Sequence, residues 1–203
     1  MGVGGIARFH GERMKKEPHI DKRFEKAVYT GTALTGEEFE GCTFLGCNLT
    51  ECDLSGCLFA DCRLTDCNWS MARLANTNLR NVAFVNCKLV GVDIGGCLPF
   101  LFSVSFENCC LDYSRFRKNR LKEMKFRGCS IRDAEFADTD LTGAAFDGCD
   151  LANTVFTRAT LNQADFRTAH NYAINLELNS ARKAKFALPG LPGLLSQYNL
   201  VIE

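Results

Sequence analysis

A large apolar residue recurs at every fifth position over most of this chain. The series runs from Phe24 to Ile94 and resumes, two residues out of step, from Phe106 to Phe166. The residue two places earlier is usually Cys, Ala, Ser or Thr, and the other three positions of each unit are mostly polar or glycine. A short fixed period of this kind is typical of a solenoid, in which each repeat packs on its neighbours.

A period of five fits neither regular element. Five residues of an α-helix turn about 500°, so successive apolar side chains would not form one face. On a strand, an odd period sends successive large side chains to opposite faces. The chain must therefore bend once per repeat, so that every fifth side chain points into a common interior. The predicted core ladder consists of Phe44, Leu49, Leu54, Phe59, Leu64, Trp69, Leu74, Phe84, Phe116, Phe126, Phe136, Phe146, Phe156 and Phe166.

Several units carry a more specific signature. Cys52-Asp53-Leu54, Thr139-Asp140-Leu141, Cys149-Asp150-Leu151 and Ala164-Asp165-Phe166 resemble the A-[DN]-L-x-x unit of the pentapeptide-repeat family. The resemblance covers roughly residues 24–186. It implies an all-β fold, a right-handed quadrilateral β-helix with four repeats per coil. The 28 repeats would then form about seven coils.

The chain divides into three expected segments. Residues 1–20 are polar and glycine-containing, have no apolar core of signal-peptide length, and are expected to be disordered. Residues 21–186 form the predicted β-helix. Residues 187–203 contain a Pro- and Gly-rich turn, a short predicted helix and an extended end. We expect this last segment to close the open end of the solenoid core.

The 12 cysteines raise the question of a metal site or disulfides. All but Cys110 occupy the small inward position, and a C-x4-C ladder is a poor match to paired zinc-ligand spacing. Disulfides between coils remain an alternative. The simpler interpretation is that these residues are small buried hydrophobes. We therefore expect no cofactor and no metal, and a reducing cytoplasm as the compartment.

The two extra residues between Ile94 and Phe106 allow two interpretations. Pro99 is tolerated at a corner or bulge and not in a paired central strand, so the segment could be a bulge that restores the register. Alternatively, it could be an apolar projection for a partner, because its large side chains cannot all point inward. The candidates on this segment are Leu98, Phe100 and Phe102.

The end of the chain also has two interpretations. The run from Asn171-Tyr172 to Leu194-Leu195 is similar to the tail of a bacterial subgroup that includes quinolone-, albicidin- and microcin-resistance proteins. This resemblance implies a two-fold homodimer, the commonest oligomer. The alternative is a cap that does not dimerise. The dimer candidates are Leu191, Leu194, Leu195 and Tyr198.

A net charge of zero, from 24 bases and 24 acids, conceals bands of one sign. Residues 33–70 contain seven acids and one base, residues 113–132 eight bases and one acid, and residues 133–156 six acids and no base. These bands either offset each other between coils, with exposed pairs worth under about 1 kcal/mol, or steer a partner. The acidic partner-binding candidates are Glu37, Glu38, Asp53, Asp61, Asp138, Asp140 and Asp150.

The sequence favours a binding protein over an enzyme. Only three histidines occur, and no nucleophile, phosphate-loop or metalloprotease motif is found. No apolar stretch is long enough for a membrane span. Direct nucleic-acid binding is not expected, because the bases of one coil point in several directions. The resemblance implies a DNA mimic that engages DNA gyrase or topoisomerase IV and protects it from inhibitors. The neutral charge departs from that picture, and the alternative is a scaffold for another protein partner without a resistance role.

Overall fold

The computed structural model describes residues 17–201, which form a right-handed quadrilateral β-helix of about seven coils, as predicted. Its strands are two to four residues long and all pair in parallel. They are β1 (His19–Ile20), β2 (Arg23–Glu25), β3 (Glu38–Glu40), β4 (Thr43–Leu45), β5 (Leu58–Ala60), β6 (Arg63–Thr65), β7 (Asn78–Arg80), β8 (Val82–Val85), β9 (Val104–Glu107), β10 (Lys125–Arg127), β11 (Glu135–Ala137), β12 (Ala145–Asp147) and β13 (Val155–Thr157).

The pairing register reveals the four sides of the coil. Phe39 pairs with Phe59 and Phe44 with Leu64, an offset of 20 residues, or four repeats. Isolated bridges such as Asn48↔Asn68 and Asp53↔Arg73 form the other two columns at the same offset. We name each side by one inward residue, as the Phe39, Phe44, Leu49 and Leu54 sides.

The corners explain how the chain bends once per repeat. Asp61, Asp66, Met71 and Asn76 follow one another at intervals of five residues, and all have φ between 54° and 58°. This left-handed conformation suits Gly, Asn and Asp, and it turns the backbone through each corner. The recurring polar and glycine positions of the sequence therefore supply the bends that its apolar periodicity requires.

The interior is a column of stacked side chains. Every residue of the predicted core ladder is buried, with no more than 4% of its surface exposed. Phe126 stacks on Phe146 with ring centroids 5.0 Å apart, and Phe146 on Phe166 at 4.9 Å. Rings on adjacent sides meet edge to face, as Phe136 and Phe146 do at 90°. Stacked and edge-to-face pairs each add stability beyond simple burial.

The ends of the β-helix differ in detail from the expectation. β1 pairs with β3, so the β-helix already includes His19 and Ile20, which were expected to be disordered. The rest of that expectation falls on residues 1–16, which lie outside the described residues. At the other end, 3₁₀ helices at Leu188–Leu194 and Ser196–Tyr198 form a cap. Pro192 lies inside the first of them and has no N–H to donate, so an α-helix would be interrupted there, and short 3₁₀ segments are common where α-helices do not continue.

The cap is pinned to the last coil by close packing. Ile174 donates its backbone N–H to the carbonyl of Gly193 at 3.0 Å. Tyr172 packs against the rings of Phe166 and Phe186 beneath the cap. A Cβ on Gly193 would collide with the backbone carbonyl of Tyr172. Within the described residues, no helix is long and apolar enough to cross a membrane.

Candidate partner-binding surfaces

The insertion is both a bulge and a projection. Across it the pairing offset rises from 20 to 22 residues, since Val82 pairs with Val104, so the two extra residues are absorbed locally. We call residues 98–102 the insertion loop. Phe100 is 72% exposed and Leu101 54% exposed, while Leu98 is exposed to a smaller extent. The two interpretations left open by the sequence therefore describe one feature.

Phe102 does not share in this exposed surface. Its side chain is half-buried and packs against the core. Phe102 therefore differs from the sequence prediction, which placed it among the contact residues. The structure keeps Leu98 and Phe100 at the surface and adds Leu101 beside them.

Glu37 is also not a surface carboxylate. It is 1% exposed, and its Oε2 lies 3.2 Å from Nε2 of His19. Glu37 stands two residues before Phe39, which is the inward position usually taken by a small residue. The prediction assigned it to the surface because it is charged, but its place in the repeat directs it inward.

Most of the other acidic candidates are paired with a base in a neighbouring coil. Lys122 lies 3.4 Å from Asp140 and Arg132 3.6 Å from Asp150. Arg73 donates to Asp53 at 3.0 Å, and Arg158 donates to both carboxylate oxygens of Asp138 at 2.7 and 2.8 Å. These contacts favour the interpretation that the charge bands offset each other.

The ionisation of these carboxylates agrees with the pairing. The hydrogen bond from Arg158 lowers the pKa of Asp138. Hydrogen bonds from Ser55, followed by Arg73, lower the pKa of Asp53. Glu38 and Asp61 remain exposed at the acidic end, where Asp61 accepts a hydrogen bond from Asn81 at 2.7 Å and lies 3.9 Å from Arg80.

The basic band is only partly neutralised. Arg117 lies between Asp93 and Glu135, at 3.3 and 3.9 Å. Lys122 and Arg132 are paired as described above. Within residues 17–201, five bases of the band have no ion-pair partner, namely Arg115, Lys118, Arg120, Lys125 and Arg127.

The cap presents an apolar surface. Leu191, Leu195 and Tyr198 are exposed by 39%, 38% and 50%, and a shallow pocket of about 290 Å³ lies among them. Leu194 is buried at its base, so it supports this surface and does not form it. Tyr198 donates its hydroxyl to Glu177 at 2.6 Å. Further exposed apolar side chains lie nearby in sequence, at Leu176, Leu178, Leu188, Leu200 and Val201.

A second, more polar groove of about 410 Å³ separates the cap from the last coil. Arg167, His170 and Asn171 lie along it, together with Pro189 and Gly190. Arg167 is held by Asp165 at 2.7 Å, and Asn171 donates to Asp150 at 2.9 Å. Arg167 is therefore engaged within its own coil and Asn171 with the preceding one.

The cysteines include an arrangement that the five-residue period does not reveal. Six of them stack in one column beside the Leu49 side, because they recur at the coil period: Cys47, Cys67, Cys87, Cys109, Cys129 and Cys149. All the cysteines are free, and only Cys110 is more than marginally exposed. Burial raises the pKa of Cys57 to about 12. In the described part of the chain, no three metal-binding side chains converge.

The geometry defines a short-period parallel β-helix whose filled interior leaves only its outer sides and its ends for contacts. The family model for the pentapeptide repeat region matches residues 23–98 and 100–176, most of the chain. The chain therefore belongs to the pentapeptide-repeat family. The two matched segments meet at Pro99, in the insertion loop.

The chain also matches solved structures at low sequence identity. Full-length QnrB1, a plasmid-mediated fluoroquinolone resistance protein, is 19% identical, with 91% of this chain and 100% of that chain covered and a TM-score of 0.46. HetL of the cyanobacterium Nostoc, involved in heterocyst differentiation regulation, is 16% identical, with 87% and 90% covered and a TM-score of 0.33. A sequence comparison with curated proteins finds no match.

Proposed function

We propose that this protein is a non-catalytic binding protein that forms a homodimer through its cap and engages a protein partner through its sides. The observation that carries the proposal is the concentration of exposed apolar side chains at two places, the cap and the insertion loop. Contiguous exposed apolar patches are typical of interaction sites. The free, buried cysteines support a cytoplasmic location.

The cap supports the dimer. Leu191, Leu195 and Tyr198 surround an apolar pocket that a second copy can fill with the same side chains. A two-fold interface is self-complementary, so one patch of this kind is sufficient for both subunits. The resemblance of the tail to the resistance proteins points to the same arrangement.

The partner to test first is DNA gyrase or topoisomerase IV, with protection from an inhibitor as the activity. The support is the resemblance of the tail and the repeats to the resistance subgroup. A DNA mimic needs carboxylates with an unopposed negative charge. Glu38, which is exposed and has no ion-pair partner within residues 17–201, meets this need best. Asp61 lies 3.9 Å from Arg80 and is held more loosely than Asp53, Asp138, Asp140 and Asp150, which lie 2.7 to 3.6 Å from bases in neighbouring coils. We therefore place such a contact at the amino-terminal coils.

The test is a gyrase supercoiling assay with purified protein, in the presence and absence of a quinolone. Protection predicts that added protein restores supercoiling and reduces quinolone-stabilised DNA cleavage. A Glu38→Lys, Asp61→Lys variant should lose the effect, while Asp138→Lys should retain it. If the wild type changes neither supercoiling nor cleavage, the topoisomerase role is wrong. The alternative function, a scaffold for another protein partner, would then stand on the insertion loop.

A further inference from the structure

The insertion loop leaves a gap in the backbone ladder of the Phe39 side. In regular coils, the residue before each inward side chain donates its N–H to the preceding coil, as Asn78 does to Cys57 at 2.8 Å and Asp140 to Asn119 at 3.0 Å. Arg120 occupies the same position in the coil after the loop. Among residues 17–201, the N–H of Arg120 has no such bond.

The missing acceptor bonds lie at the same place. Asp140 and Thr142 accept backbone hydrogen bonds from Leu121 and Glu123 at 2.7 and 2.8 Å. In the described structure, the carbonyls of Arg120 and Lys122 receive no corresponding donor from the loop. Pro99 has no N–H, and the loop around it turns outward. The Arg120–Lys122 segment therefore has the unpaired backbone groups of a sheet edge.

The interior beneath this segment also lacks a hydrogen-bond partner. Asn119 is the inward residue before Leu121 and is 6% exposed, and its Oδ1 has no hydrogen-bond partner. At the corresponding position one coil later, Thr139 donates its hydroxyl to the carbonyl of Phe116. A buried polar atom without a partner costs free energy, so this part of the solenoid is poorly satisfied by the chain itself.

The side chains around the gap are positively charged or apolar. The flanking bridge Asp93↔Arg115 has the 22-residue offset, which places Arg120 in register with Leu98. Arg120 and the neighbouring corner residue Lys118 are exposed and have no ion-pair partner within the described residues. The exposed Phe100 and Leu101 therefore follow closely on the residue that is in register with Arg120. Lys118 acts electrostatically on Asp138 of the next coil but forms no ion pair with it.

We propose that the gap binds an extended segment of a protein partner that alternates acidic and apolar side chains. The segment adds a strand along Arg120–Lys122, packs its apolar side chains on Phe100 and Leu101, and pairs its carboxylates with Lys118 and Arg120. Strand addition of this kind takes affinity from backbone hydrogen bonds and specificity from side chains. The proposal rests on the proposed binding function and specifies the chemistry of the partner.

A narrow peptide fits this surface better than a flat anionic membrane does. Glu38 and Glu40 are exposed on the same side of the β-helix. A bilayer lying across the side would bring these carboxylates against anionic headgroups. An extended peptide contacts only the coils next to the gap, where the unpaired charges are positive.

The probe is a fluorescein-labelled octapeptide that alternates Asp or Glu with Val or Phe, titrated with purified protein and followed by anisotropy. We expect saturable binding that is lost when Lys replaces the acidic residues or when alternate amides are N-methylated. A Lys118→Glu, Arg120→Glu variant should bind at least about ten-fold more weakly. The matched control, Lys125→Glu with Arg127→Glu, makes the same charge change in the same band on the Phe44 side and should shift the Kd by less than about two-fold.

A second pair of variants tests the apolar contact. Phe100→Ser with Leu101→Ser should weaken the peptide, whereas Leu188→Ser, on the exposed surface of the cap, should not. Circular dichroism establishes that each variant is folded. The proposal is overturned if the wild type does not bind the peptide, if both charge variants lose it equally, or if phosphatidylserine vesicles bind while the peptide does not. These results are independent of the supercoiling assay, so either proposal can fail alone.

Discussion

Phe116 lies directly over Phe136, with ring centroids 4.6 Å apart and ring planes inclined by only 6°. The two residues are one coil apart, and both are fully buried. Their contact follows from the five-residue period, because four repeats bring the chain back to the same side of the β-helix.

Truncating one ring of this column should be costly. Phe136→Ala should lower the free energy of unfolding by about 3–5 kcal/mol, because it removes a buried ring and leaves a cavity between two others. Denaturant unfolding measures the loss. Phe100→Ala removes the same ring from an exposed position and serves as the control. A loss below about 1 kcal/mol for Phe136→Ala would show that the column does not contribute as described.

The dimer can be tested by charge insertion. Leu191→Arg with Leu195→Arg should convert a dimer into the 22.5 kDa monomer, because two charges would be buried in the interface. Light scattering coupled to size exclusion gives the mass directly. Val155→Arg, which places a charge on the similarly exposed outer face of β13, should leave the mass unchanged. A monomeric wild type would contradict the proposed dimer.

Gly193 should be required for cap docking. Gly193→Ala places a Cβ against the backbone carbonyl of Tyr172, which cannot move away as a flexible side chain would. Overpacking of this kind costs about 1–3 kcal/mol, and hydrogen exchange should accelerate in the cap. At Gly96, an added Cβ would lie 3.6 Å from its nearest neighbour, so Gly96→Ala should exchange normally there. Equal protection of the cap in both variants would contradict this packing.

The paired carboxylates should make stability fall in acid. The hydrogen bond from Arg167, with the charges of Arg167 and Lys185, lowers the pKa of Asp165 in the folded state. A lowered folded pKa contributes stability above the unfolded value, about 3.9, and this contribution disappears as the pH falls through the lower folded value. The melting temperature should therefore fall below about pH 4, and less steeply for Asp165→Asn. An identical slope for both proteins would show that this pair does not contribute.

Thiol reactivity should single out Cys110. Burial raises the pKa of Cys110 as it does that of Cys62, but Cys110 is the one partly exposed cysteine and so the one that a reagent in solution can reach. An aromatic disulfide reagent should titrate one thiol rapidly in the native protein and all 12 after denaturation. Cys110→Ser should abolish the rapid phase. Several fast equivalents in the native state would mean that the core admits the reagent.

The apolar period was sufficient to predict the interior but not all of the surface. Phe126 and Leu151 are buried because their positions in the repeat dictate it, independently of tertiary detail. The charge of Glu37 predicts a surface position, but its place in the repeat directs it inward. The orientation of Phe102 does not follow from the sequence, because the two extra residues interrupt the five-residue period that determines which side chains point inward. The partners of Asp138 and Asp53 lie in the next coil, at a distance in sequence that only the four-sided geometry reveals.

The change of register at the insertion loop has an evolutionary consequence. Ser103 donates its N–H to the carbonyl of Leu79, and from Val104 the Phe44 side pairs again in continuous register, so the break in pairing is confined to the Phe39 side. An addition that is absorbed within one turn imposes no rotation on the segments beyond it, and lengthening a surface connection costs little entropy. The insertion loop is therefore a point where new loops of varied length and composition can be introduced and selected without changing the register of the coils that follow.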